Sequence, residues 1–180
     1  NSEYESYLNK RQTQLSEIQI VDIKLKLGLF QRAYEELKIM LDKAEGYTEK
    51  IWQEKVLEVI CLLFPKYIFA KREVDIGSDG RHGKKPDFLL IDSSGFVDVL
   101  EIKKPTSQRI MTPTQYRNNY IADREFSGTI VQIEKYLYCL NYGGEKLEKA
   151  LKEKLKNQLP HDLTIRINNP LGMLLMGRSD

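Results

Sequence analysis

The stretch that decides the fold runs Pro86-Asp87-Phe88-Leu89-Leu90-Ile91-Asp92-Ser93-Ser94-Gly95-Phe96-Val97-Asp98-Val99-Leu100-Glu101-Ile102-Lys103. Two strand-like runs, Pro86 to Asp92 and Phe96 to Lys103, flank Ser93-Ser94-Gly95, a pattern that predicts a β-hairpin. Three-residue hairpin loops commonly place a left-handed residue third, and Gly95 stands there. Centring the hairpin on Ser94 pairs residues whose numbers sum to 188, which sets Asp87 opposite Glu101. Such partners share a face, with Cβ atoms about 4.5–5.5 Å apart. Alternation puts Glu101 and Lys103 on one face of the second strand and Leu100 and Ile102 on the other. Two carboxylates meeting on an apolar sheet need a compensating partner, because unpaired buried charge is costly. A hard divalent ion, Mg²⁺ or Mn²⁺, suits this site better than zinc, since the hairpin holds no His or Cys.

The helix expected before the sheet, Glu49 to Phe64, supplies a third acid. Thr48 is its expected N-cap and Pro65 marks its end. Trp52, Val56, Val59, Ile60 and Leu63 form one apolar stripe. With Trp52 at zero and about 100° per residue, the stripe centres near about 35° and Glu49 falls at about 60°. Glu54 and Glu58 fall at about 200° and about 240°, toward solvent. Glu49 is therefore the candidate that joins Asp87 and Glu101, although an acid in the first turn also complements the helix dipole.

Further out, residues 1–46 read as a polar helical arm or linker, and residues 47–180 as the main domain. Strand-like Tyr67 to Ile76 precedes a glycine-rich loop, Gly77 to Lys85. Pro105 to Asp123 reads as irregular. Two helices follow, about Ser127 to Leu140 and Glu145 to Leu159, broken at Asn141 to Gly144. Leu163 to Ile167 and Gly172 to Met176 are the last strand candidates. This order predicts an α/β fold with a central mixed sheet flanked by helices.

Composition sets outer limits. With 180 residues, 41% hydrophobic and 30% charged, the chain suits one domain with an appended arm and is too apolar for disorder throughout. No apolar run approaches the roughly 20 residues of a membrane helix. Two cysteines, Cys61 and Cys139, exclude a disulfide framework and a Cys-rich zinc site, and a reducing, cytoplasmic setting is expected. Beginning at Asn1 rather than Met, the chain reads as a fragment of a longer protein.

Pro86-Asp87 followed by Glu101-Ile102-Lys103, with an acid on the preceding helix, resembles the PD-(D/E)XK nuclease superfamily. More narrowly, Glu49-x-x-Trp52-Gln53, Pro86-Asp87-Phe88-Leu89-Leu90, Glu101-Ile102-Lys103-Lys104-Pro105, Gln132 with Tyr136, Pro170-Leu171-Gly172 and Gly177-Arg178 resemble the nuclease domain of Shedu anti-phage defence proteins. The resemblance implies a restriction-endonuclease-like core and a metal-dependent DNA endonuclease. It implies that Asp87, Glu101 and the Ile102 carbonyl hold Mg²⁺ or Mn²⁺, with Glu49 in support, and that Lys103 positions or activates the attacking water. Gln132 and Tyr136, four apart on one helix face and off the stripe of Ile130, Ile133, Leu137 and Leu140, match the family's supporting or DNA-contacting pair.

Charge then acquires a meaning. A net charge of +2 hides a local excess, because Arg81, Lys84, Lys85, Lys104, Arg109 and Arg117 bracket the hairpin and suit a phosphate backbone. DNA is the expected partner, a homo-oligomer the expected assembly, and no membrane is involved. His82 and His161 read as plain loop residues. A nucleotide-binding loop at Gly83-Lys84 is rejected, since Ser78 and Lys85 stand where Gly and Ser or Thr are required. The alternatives are a catalytically silent nucleic-acid-binding or oligomerisation module on the same fold, and an ion-pair cluster of structural purpose.

Overall fold

The computed structural model describes residues 2–3, 5–6, 17–77, 84–105 and 110–176. Two compact units divide the chain, Asn1–Asp42 and Lys43–Asp180. The first contains helix α1, Glu17–Asp42. Its apolar side chains Val21, Leu25, Leu27 and Phe30 are exposed.

The second unit is α/β. A short 3₁₀ turn, Ala44–Gly46, leads into α2, Glu49–Leu63, capped as expected by Thr48, whose side chain accepts from Ile51 N at 3.3 Å. Strands β1 (Tyr67–Arg72), β2 (Phe88–Asp92) and β3 (Val97–Ile102) precede the long helix α3 (Arg124–Leu155) and strand β4 (Gly172–Leu175). The sheet order is β1-β2-β3-β4. β1, β2 and β3 run antiparallel in turn, and β4 lies parallel to β3. A parallel neighbour needs a crossover, which α3 supplies.

The expected register is present. Phe88 pairs with Leu100, Leu89 with Val99, Leu90 with Asp98 and Ile91 with Val97. Gly95 adopts φ 86°, its N donates to Asp92 O, and Asp92 Oδ1 accepts from the N–H groups of Ser94 and Phe96. Both faces of the sheet are buried. Leu89, Ile91, Val97 and Val99 pack with Tyr136, Leu140, Leu147, Leu151 and Leu155 of α3. Phe88, Leu90, Leu100 and Ile102 are buried on the opposite face. Arg72 pairs with Phe88 there and bonds to Gln53, which brings α2 to that side.

Several expectations need correction. β1 stops at Arg72, because Glu73 turns to φ 51°, although Val74 and Ile76 still enter the core. The run Arg124–Leu155 is two helices joined across a kink at Gly144 (φ 43°, ψ −138°), inside the expected break at Asn141 to Gly144, but it starts at Arg124 rather than Ser127 and ends at Leu155 rather than Leu159. Leu163 to Ile167 is not a strand. Its alternation buries Ile165, but among the described residues its only pairing is the bridge between Arg166 and Phe96, and Asn169 (φ 51°) then turns the chain. Within the segment read as irregular, Tyr116 and Asn119 exchange hydrogen bonds around Arg117 and Asn118, both at positive φ. Arg-Asn is a weak signal for that turn, which favours Asn-Gly. Among the described residues, no helix is long and apolar enough to cross a membrane.

Gly95 carries the register. A Cβ there would lie 1.9 Å from Thr164 O at a φ unsuited to other residues. Gly95→Ala is expected to cost at least about 2 kcal/mol, combining backbone strain with that clash. Urea unfolding of the two proteins measures it, and an unchanged midpoint would contradict the assignment.

Candidate functional site

Asp87 stands one residue before β2, and Glu101 lies inside β3 on the face that α3 covers. Their closeness follows from the register. Asp87 Oδ2 accepts from Ile102 N at 2.8 Å, and Glu101 Oε2 accepts from Asp87 N at 3.4 Å. Each acid is thus held by the backbone beside the other. Lys103 Nζ donates to Glu101 Oε1 at 2.7 Å.

Asp87 and Lys103 are half-buried. Glu101 is 2% exposed. Burial, with a smaller contribution from the nearby Asp87 charge, pushes its carboxyl above the usual carboxylate range, against the opposing pull of Lys103. Burial works against the Lys103 ammonium too. The hydrogen bond to Glu101 and the charges of Glu101, Asp87 and Glu49 outweigh it, so Lys103 holds its proton more tightly than an ordinary lysine.

Glu49 stands at the entrance to α2. It is exposed, at the first residue of α2. The inward position one turn along belongs to Gln53, buried at 4% exposure, whose Nε2 donates to Ile102 O at 3.1 Å. Glu49 still lies close enough for its charge to act on Lys103. Gln53 carried a legible signal: at about 100° on the same wheel, it is a polar residue on the edge of an apolar stripe.

Tyr136 is placed differently from expectation. It is buried within the core of α3, while Ile130, expected on the stripe, is exposed. Tyr136 accepts from Gln132 and donates to Lys85 O at 3.0 Å. Burial and the charges of Glu101 and Asp87 raise its phenol pKa, so the hydroxyl stays a donor. Lys84, Gly128, Gln132, Lys135 and Tyr136 line a cavity of about 190 Å³ beside it.

Among the basic candidates, Lys84 is half-buried, Lys85 exposed, and Lys104 half-buried with its ammonium 3.5 Å from Glu45 O. Arg117 is exposed and lies over Tyr116. Arg81, His82, Arg109, Gly177 and Arg178 lie outside the described residues.

Asp87, Glu101 and the Ile102 carbonyl form an oxygen-only donor set. Among the described residues no group of three or more His, Cys, Asp or Glu side chains is arranged to hold a metal. Two carboxylates and a carbonyl nevertheless fit Mg²⁺, which retains several waters and takes one or two carboxylates from a protein.

The Lys103–Glu101 pair has a testable stability consequence. Removing one partner of a buried pair leaves the other uncompensated, whereas replacing both with apolar groups is often neutral. Lys103→Met is expected to cost about 3 kcal/mol, and Lys103→Met with Glu101→Leu to recover most of it. Chemical denaturation of the metal-free proteins checks this; a double variant as unstable as Lys103→Met would contradict it.

Beyond the geometry, residues 46–180 match the family described as Shedu protein SduA, C-terminal. No curated protein matches the chain. With three quarters of its length in that match, and the Asp87, Glu101 and Lys103 cluster inside it, the chain belongs to the Shedu SduA C-terminal family.

Proposed function

We propose that the chain is a metal-dependent DNA endonuclease of anti-phage defence, built on a restriction-endonuclease-like core. The observation that carries this reading is the joining of Asp87 and Glu101 across one hairpin, with Lys103 Nζ bonded to Glu101. Family membership supports the defence role.

Asp87, Glu101 and the Ile102 carbonyl would hold Mg²⁺ or Mn²⁺. Bound there, the metal would lower the pKa of an attacking water and neutralise phosphate oxygens. Lys103, kept charged by its acidic surroundings, would place a fixed positive charge beside the phosphate as negative charge builds in the transition state. Tyr136 and Gln132 would support the metal pair from α3, with Glu49 contributing negative charge from the rim. Lys84, Lys85 and Lys104 would contact the backbone of DNA, positioning it without reading sequence. The exposed apolar residues of α1 support self-assembly through the arm.

Cleavage of linear, circular, nicked and single-stranded DNA with added Mg²⁺ or Mn²⁺ tests the reading. Glu101→Ala and Lys103→Ala are each expected to lose at least about 10²-fold in rate. Equal activity in wild type and both variants would sink the catalytic assignment and favour the silent binding module. Independently, Mg²⁺ should raise the melting temperature of the wild type and leave that of Asp87→Ala unmoved. A shift equal in both proteins would place the metal elsewhere.

A further inference from the structure

In an antiparallel ladder, pairs that exchange both main-chain hydrogen bonds alternate with pairs that exchange none. Asp92 N donates to Phe96 O at 3.0 Å, which puts the bonded pairs of β2 and β3 at even-numbered residues, Phe88 with Leu100 among them. The next bonded pair in this register is Pro86 with Ile102. It cannot form completely, since proline has no N–H to give to Ile102 O. The Ile102 N–H goes instead to the Asp87 side chain.

Gln53 supplies the missing donor for Ile102 O. Its Oε1 accepts from Arg72 Nη2 at 2.9 Å. Only one orientation of the amide satisfies both ends, with nitrogen on the carbonyl and oxygen on the guanidinium. Arg72 itself lies over the Phe88 ring, 5.3 Å from its centroid, and its buried Nη1 has no hydrogen-bond partner among the described residues. Its ion pair with the exposed Glu73 is loose at 3.9 Å. A partly buried cation with an unmet donor is a standing cost, and an unsatisfied group of this kind calls for an explanation other than packing.

We propose that Gln53, locked by Arg72, is a positioning residue that aims the Ile102 carbonyl at the metal position beside Asp87 and Glu101. The inference rests on the metal-dependent reading above. A carbonyl oxygen has two lone pairs. The Gln53 bond occupies one and fixes the peptide plane at the point where Pro86 ends the ladder, which leaves the other directed for a cation. Partners that orient a ligand in this way typically contribute about 10- to 100-fold in metal affinity.

The test is Mn²⁺ binding to the metal-free full chain, followed calorimetrically, for wild type, Gln53→Met, Arg72→Met, the double variant and Asp87→Asn. Gln53→Met is expected to bind Mn²⁺ about 10- to 100-fold more weakly and Arg72→Met to show a smaller loss. The double variant should be no weaker than Gln53→Met, because both act through one carbonyl. In cleavage, Gln53→Met should raise the Mn²⁺ concentration for half-maximal rate more than it lowers the maximal rate. A purely structural Gln53 would lower the melting temperature and leave Mn²⁺ affinity unchanged; that result, beside lost affinity in Asp87→Asn, overturns the inference alone. Absence of Mn²⁺ binding by the wild type overturns it together with the nuclease reading. Should Gln53→Met fail to fold, Arg72→Met alone decides, and unchanged affinity in it overturns the lock.

Discussion

The register of one hairpin is the constraint on which the site depends. A glycine at φ 86° closes the three-residue loop, and that closure brings Asp87 to Glu101. A shift by one residue would send every side chain of β3 to the opposite face. Glu101 would then leave the α3 side and Ile102 would take its place. The two faces differ in chemistry as well as position. The face under α3 is apolar along Leu89, Ile91, Val97 and Val99 and turns ionic only at the end where Asp87, Glu101 and Lys103 gather.

At that end the sheet solves an electrostatic problem locally. Two acids are close, one is almost fully buried, and Lys103 compensates from the same strand. The compensation is partial, since Glu101 remains above the ordinary carboxylate range. The same lysine stabilises the metal-free protein and, in the nuclease reading, stands ready beside the phosphate. Exposed Glu49 adds its charge to those of Glu101 and Asp87 in acting on Lys103.

Much of this was legible in the sequence, and the unread parts have physical reasons. Ser93-Ser94-Gly95 specifies a loop, alternation specifies faces, and together they place Asp87 against Glu101 without tertiary information. The Thr48 cap is equally local. Depth is not local: helical spacing assigned Glu49 and Gln53 to neighbouring directions but could not say which reached the sheet. Tyr136 looked like part of a polar pair because tyrosine carries both an apolar ring and a hydroxyl, and burial of the ring is decided by what α3 covers. Asn141 to Gly144 reads as a helix break by composition, and the break is there, narrowed to the kink at Gly144. Leu163 to Ile167 has the pattern of a strand and buries Ile165 without joining a ladder. Pattern reports burial more faithfully than hydrogen bonding.

Tyr136 shows how the helix and hairpin become one device. Its hydroxyl donates to Lys85 O, immediately before Pro86 and Asp87. The acids nearby, together with burial, disfavour its ionisation, so the group that anchors the chain entering the site stays neutral. A charged anchor there would respond to each change in the charge of Asp87 or Glu101. A neutral phenol responds far less, and through its bond to Lys85 O it fastens the chain just before Pro86 to α3. Lys85 is thereby tied to the helix by a bond between two neutral groups.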